Sequence, residues 1–227
     1  MTVKIKICGI TCREDAQKAR ECGADYIGII VNIAGSRRSV STQQAIEISS
    51  GIPSTVLLME GQLPSIATAL RHIKPHAVQL IGQFPPGDIP RFKGMTDVKI
   101  WKTVHVPRRG HDASQELEHQ IAELQQHGID ALVLDTLVPG HKGGTGQTCD
   151  WHSAASIVQS VEVPVFLAGG LTPENVTQAL SVVKPFGVDV SSGVESSPGC
   201  KDHEKISRFI RLVAAAQKPI PSTTVPS

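Results

Sequence analysis

Aromatic side chains are scarce in this sequence: one Tyr, two Trp and five Phe make up 4% of 227 residues. Surfaces that bind single-stranded nucleic acid stack bases on such rings, so this class of partner is not expected. Net charge is nearly absent as well, at +1, and Lys and Arg are scattered rather than blocked. Neither a polyanion nor an acidic membrane surface is then the expected partner. No apolar stretch is long enough to cross a bilayer, and the opening MTVKIKICGI has no signal-peptide core, which predicts a cytoplasmic protein. The five cysteines, Cys8, Cys12, Cys22, Cys149 and Cys200, form no CxxC pair, and the nine histidines show no HExxH spacing. Free thiols and no metal site are expected.

What is present in quantity is aliphatic: hydrophobic residues make up 40% of the chain. With so few rings the core must be built from Val, Ile, Leu and Ala, which suits buried parallel strands covered by helices. Short apolar runs alternate with longer amphipathic stretches, the pattern of repeated βα units. Eight candidate strands are found, at 3–8, 26–31, 55–59, 77–80, 98–104, 131–135, 165–168 and 187–190. Helical stretches follow, for example at 13–22, 42–50, 113–127, 151–160, 173–183 and 202–216, while the proline-rich 85–93 allows only a short helix or coil. No GxGxxG follows the first strand, which argues against a doubly wound dinucleotide fold. The prediction is an α/β protein with a single-domain (β/α)8 TIM barrel over residues 1–217 and a disordered tail over 218–227.

In such a barrel the active site lies at the C-terminal ends of the strands. Strand one ends in Cys8, with Lys6 on the same inward face by the period of two, and strands six and eight end in Asp135 and Asp189. A buried Lys6 requires a partner, and either carboxylate would serve. Glycine clusters follow strands six, seven and eight: 143–146, then Gly169 and Gly170, then Ser191, Ser192 and Gly193. Loops after strands seven and eight of a barrel commonly bind phosphate through unobstructed backbone N–H groups. Gly169, Gly170, Ser192 and Gly193 are therefore read as a phosphate cradle, with Gly144 and Gly146 closing over it and Asp189 and Ser191 beside it. Each cluster taken alone fits a tight turn equally well.

The segments KICGIT at 6–11, VLDT at 133–136, GGTG at 143–146, AGGLTPENV at 168–176 and VDVSSGVESSPGCKDH at 188–203 resemble, in order and spacing, the motifs of the phosphoribosylanthranilate isomerase family of tryptophan biosynthesis. The resemblance implies an Amadori rearrangement of a phosphorylated sugar amine that uses no metal, nucleotide or flavin. It implies Cys8 as general base and Asp135 as general acid. It also implies that Arg38, after strand two, offers its guanidinium fork to the anthranilate carboxylate. Residue types agree with those roles. A desolvated carboxyl keeps the proton that ring opening needs, and a thiolate beside positive charge, for which Arg38 and the substrate iminium are candidates, removes the C2' hydrogen.

The sequence departs from the family pattern on one side. Ile29, Ile30 and Val31 stand where aromatic residues are usual, 57–59 reads LLM, and Ile81 replaces the histidine of a VQLHG motif. Ile30, Met59 and Ile81 are thus taken as the altered wall of the aglycone pocket. A related barrel acting on a different phosphoribosyl amine is the alternative to anthranilate. A barrel that binds a phosphosugar without turnover has no need of Cys8 with Asp135, and a phosphosugar epimerase would carry metal ligands at several strand ends. Monomer and homodimer are both compatible with the sequence.

Overall fold

The computed structural model describes residues 2–107, 114–136 and 148–217. Eight parallel strands, β1 (Lys4–Ile7), β2 (Tyr26–Val31), β3 (Thr55–Met59), β4 (Ala77–Leu80), β5 (Lys99–Val106), β6 (Ala131–Thr136), β7 (Val165–Leu167) and β8 (Gly187–Val190), pair in sequence order. The sheet closes where β1 meets both β2 and β8. Eight helices cover it: α1 (Arg13–Glu21), α2 (Thr42–Ser49), α3 (Leu63–His72), α4 (Ile89–Lys93), α5 (Ser114–Gln126), α6 (Trp151–Ser160), α7 (Val176–Val183) and α8 (His203–Ala216). The expected TIM barrel is therefore observed. As the prolines at 85–90 suggested, α4 is a single short turn entered through a 3-10 turn at Pro86–Asp88. Two small additions matter later. Ser39–Val40 pairs beside the end of β2, and a hairpin pairs Glu195–Ser197 with Cys200–Lys201 after β8. The proposed tail at 218–227 and the cluster containing Gly144 and Gly146 lie outside the described residues.

The helices follow from ordinary local rules. α8 buries Ile206, Phe209, Ile210 and Val213, the i, i+3, i+4, i+7 stripe that turns one helical face to a core. Each such side chain contributes about 1.5–3 kcal/mol on burial. The Asp202 side chain caps α8 by accepting from the N–H groups of Glu204 and Lys205, and such a cap is worth about 1 kcal/mol. At α2, Ser41 and Gln44 satisfy each other's backbone donors in a capping box.

Alternation along the strands separates two cores. Outward residues such as Ile7, Ile29, Leu57 and Val188 meet the helices in one large aliphatic cluster. Inward residues near the strand starts, Val56, Ala77, Trp101, Ala131 and Phe166, fill the barrel interior with Tyr26 against them. Three of the eight aromatics meet there: the Trp101 and Phe166 rings stack with centroids 4.6 Å apart, and Tyr26 meets both edge-on. Above this plug the inward positions become polar. Gly28 on β2 makes room for them, because a Cβ there would lie 2.8 Å from the Cys8 sulfur and 3.1 Å from Lys6 Cε.

Candidate active site

A cavity of about 210 Å³ opens at the C-terminal ends of the strands, where the barrel architecture puts chemistry. Cys8 lies buried in its wall. Beneath it Lys6, wholly buried, donates to Asp189 Oδ2 at 2.7 Å, so of the two carboxylates open to Lys6 the structure selects Asp189. Burial works against the Lys6 ammonium. Asp189 and then the Cys8 sulfur outweigh it, and its pKa lies above the ordinary lysine value.

Cys8 itself departs from the expectation of a thiol poised by positive charge. Burial, followed by the Asp189 charge, raises its pKa, and Lys6 and Lys201 offset only part of that. The thiol is therefore the resting form. Lys6 and Lys201 are the main cations that act on it, and Arg38, as expected, also interacts with the sulfur.

Arg38 lines the cavity, but one edge of its guanidinium is already occupied. Its Nε donates to Glu195 Oε1 at 2.8 Å and its Nη2 to Glu195 Oε2 at 2.7 Å. The sequence reading left the whole fork free for substrate; in the structure only the remaining N–H groups are open. Glu195 also accepts from Lys201 Nζ at 2.8 Å, and the same ammonium donates to the Ser191 carbonyl at 3.1 Å. Burial alone would push the Glu195 carboxyl up, yet the bonds and charges of Arg38 and Lys201 hold it below the usual value.

Asp135, at the end of β6, also lines the cavity. Burial raises its carboxyl above the ordinary 3.8, against the opposing pull of the Thr136 N–H, which donates to Oδ1 at 2.8 Å. His105 faces Asp135 across the β5–β6 register and lines the same cavity. His72, His119 and His152 are exposed as His105 is, but have no place in the site.

Gly169, Gly170, Ser191, Ser192 and Asp189 all line the cavity as expected. Gly169 and Gly170 take φ of +79° and +65°, which turns backbone rather than side chain toward the opening. A Cβ on Gly169 would sit 2.1 Å from Thr136 Oγ1 and 2.9 Å from Asp135 Oδ1, so this loop is seated directly on Asp135. Gly193 is different: it does not line the cavity, and a Cβ there would meet the Leu171 carbonyl oxygen at 1.9 Å. Its role is to let the loops after β7 and β8 touch.

On the opposite wall Ile30 and Ile81 face the cavity, whereas Met59 belongs to the outer aliphatic cluster. Its neighbours Leu58 and Glu60 take the inward places. The run TVLLM, apolar from Val56 to Met59, hid the period of two that would have distinguished them. Sequence reasoning also missed Gln79 and Thr103, whose side chains bond to each other at 2.9 Å in the cavity wall. It missed Glu195 and Lys201 too. A signal existed for these two, since Ser-Pro-Gly at 197–199 marks a hairpin turn that brings the flanking charges across from each other.

Comparison with known proteins agrees with this geometry. Residues 5–212 match the sequence profile of the family described as N-(5'-phosphoribosyl)anthranilate (PRA) isomerase. The N-(5'-phosphoribosyl)anthranilate isomerase of Methanocella arvoryzae is 38% identical over 92% of this chain and 97% of its own, and that of Haloarcula marismortui 37% identical over 92% and 94%. Among solved structures, the phosphoribosyl anthranilate isomerase of Thermotoga maritima superposes with a TM-score of 0.81 at 33% identity, covering 94% of this chain and all of that one. A phosphoribosyl anthranilate isomerase in complex with reduced 1-(o-carboxyphenylamino)-1-deoxyribulose 5-phosphate gives 0.78 at 31%, covering 94% and 100%. The described barrel, the cavity at its C-terminal rim and these relatives together make the chain a member of the N-(5'-phosphoribosyl)anthranilate isomerase family.

Proposed function

We propose that this protein converts N-(5'-phosphoribosyl)anthranilate to 1-(o-carboxyphenylamino)-1-deoxyribulose 5-phosphate, an Amadori rearrangement of tryptophan biosynthesis, with Asp135 as acid and Cys8 as base. The observation that carries the assignment of roles is the pairing in one cavity of a carboxyl pushed toward its protonated form and a thiol flanked by two lysines. Asp135 gives its proton to the furanose oxygen as the C1'–O bond breaks, which leaves an iminium at C1'. That charge adds to Lys6 and Lys201, so the Cys8 thiol gives up its proton to solvent and becomes the thiolate that burial otherwise disfavours. Cys8 then takes the C2' proton, and the electron pair released forms the enolamine and neutralises the nitrogen. Loss of the C2' hydroxyl proton and protonation of C1' complete the ketone. The backbone of Gly169 and Gly170 with Ser192 holds the phosphate, and Asp189 and Ser191 lie next to it.

Arg38 receives the anthranilate carboxylate through the edge that Glu195 leaves open, and Ile30 and Ile81 enclose the ring. The reaction proceeds without a cofactor, in the cytoplasm, in a monomer or a homodimer. The test is decay of anthranilate fluorescence when the protein meets freshly generated substrate. Decay in the parent, with none in Cys8→Ser or Asp135→Asn, supports both roles. A folded parent that leaves this substrate untouched refutes the anthranilate assignment and favours another phosphoribosyl amine.

A further inference from the structure

The hairpin after β8 contributes no expected catalytic group, yet it is held more firmly than a surface turn requires. Thr11 Oγ1 donates to the Gly199 carbonyl at 2.6 Å, and Asp15 Oδ2 accepts from the Lys201 N–H at 3.2 Å. Lys205 Nζ donates to the Glu195 carbonyl at 2.8 Å. The side chains of Glu195 and Lys201 are almost fully buried, at 4% and 0% exposure; Glu195 bonds both Arg38 and Lys201, and Lys201 also reaches the Ser191 carbonyl at the cavity.

A guanidinium carries five N–H donors in a rigid plane. Glu195 takes the Nε edge with both carboxylate oxygens, so the ring of donors cannot rotate, and three N–H groups on Nη1 and Nη2 are left. Two of these are parallel and form a second fork. Because Lys201 neutralises Glu195, the trio Arg38, Glu195 and Lys201 keeps one net positive charge, and Glu195 does not repel an incoming anion.

We propose that Glu195, pinned by Lys201, is the positioning residue that sets the Arg38 fork, and that the preference of this site for an aglycone bearing a carboxylate is thereby built into the hairpin after β8. The inference rests on the proposed function. It concerns how the carboxylate is selected, whereas Cys8 and Asp135 concern the reaction itself.

The experiment compares two ligands by calorimetry on the whole protein: the reduced product analogue carrying the o-carboxyphenylamino group, and the same molecule with a plain phenylamino group. The parent should bind the carboxylated ligand more tightly. Glu195→Gln should weaken that ligand about 10- to 100-fold, the range for a misaligned charge-assisted fork, and leave the phenylamino ligand within about twofold. Steady-state rates should place the loss in KM rather than kcat. Glu195→Asp, which keeps the charge and the Lys201 contact but draws the carboxylate back, should lose discrimination in the same direction and guards against a Gln variant that fails to fold. An equal loss for both ligands, or no loss for either, overturns the positioning role while leaving the function standing. A parent that binds both ligands equally, or neither, refutes the carboxylate assignment on which the inference rests.

Discussion

Along the barrel strands a step of two residues separates Ala77 from Gln79, Trp101 from Thr103 and Phe166 from Ala168, and in each pair both side chains face inward. The first members close the floor with aliphatic and aromatic packing; most positions above them bear hydroxyl, amide, thiol or carboxyl groups. The two layers share backbone, twist and register, and so differ only in what their side chains do with water. The floor excludes it and supplies stability, whereas the upper layer keeps polar atoms that the protein leaves incompletely paired. Among the described residues, Gln79 Oε1, Asp189 Oδ1 and Ser191 Oγ are buried without a hydrogen-bond partner, each a cost of about 1–3 kcal/mol that a polar ligand would relieve.

Substitutions in the two layers should therefore fail in different ways. Asp135→Asn should lower kcat by about 10²- to 10⁴-fold, the usual yield of a general acid, in a protein whose melting temperature does not fall; a drop in both would break the division of labour. Trp101→Ala, in the floor, should lower unfolding free energy by about 3–5 kcal/mol, read by urea titration, with kcat of the folded fraction nearly unchanged. Lys6→Met lies on the boundary. It strands a buried Asp189 carboxylate at a cost of about 3–5 kcal/mol and should also depress turnover through Cys8, so that stability and rate fall together.

Smaller effects depend on pH. The Asp135 carboxyl sits above the 3.8 of an unfolded chain, so the folded protein loses stability relative to the unfolded one as pH rises from that value through the raised one. Asp135→Asn should match the parent in melting temperature in strong acid and exceed it increasingly across that window. Lys102, buried outside the barrel floor, donates to the Gly82 and Thr103 carbonyls, and burial pulls its pKa down to about 8. Its folded value lies below the 10.5 of a free lysine, so the parent gains stability as pH rises between the two. Lys102→Met should remove that rise, measured as the difference in melting temperature between pH 7 and pH 10.

The floor was largely legible in the sequence, because buried parallel strands read as apolar runs and eight of them bounded by helical stretches leave few architectures. Cys8, Lys6, Asp135 and Asp189 were legible from strand-end position and the period of two. What the sequence did not show depends on contacts between segments far apart in the chain. Strand three, apolar from Val56 to Met59, conceals that Leu58 faces in and Met59 out. Arg38 reads as a free guanidinium until the chain returns 157 residues later with Glu195. The resting thiol of Cys8 reflects a sum of burial, one carboxylate and two lysines, and only the packed interior sets their relative weights.

The Lys6–Asp189 pair joins the first barrel strand to the last, across 183 residues of chain. Until β8 and the hairpin after it are in place, Lys6 has no counter-ion and Cys8 lacks the Asp189 and Lys201 charges that tune it. A growing chain that has made seven strands therefore carries Cys8 but not its electrostatic setting. Closure of the ring and completion of the cavity are a single event, so partly folded forms of this enzyme should be chemically silent rather than weakly active.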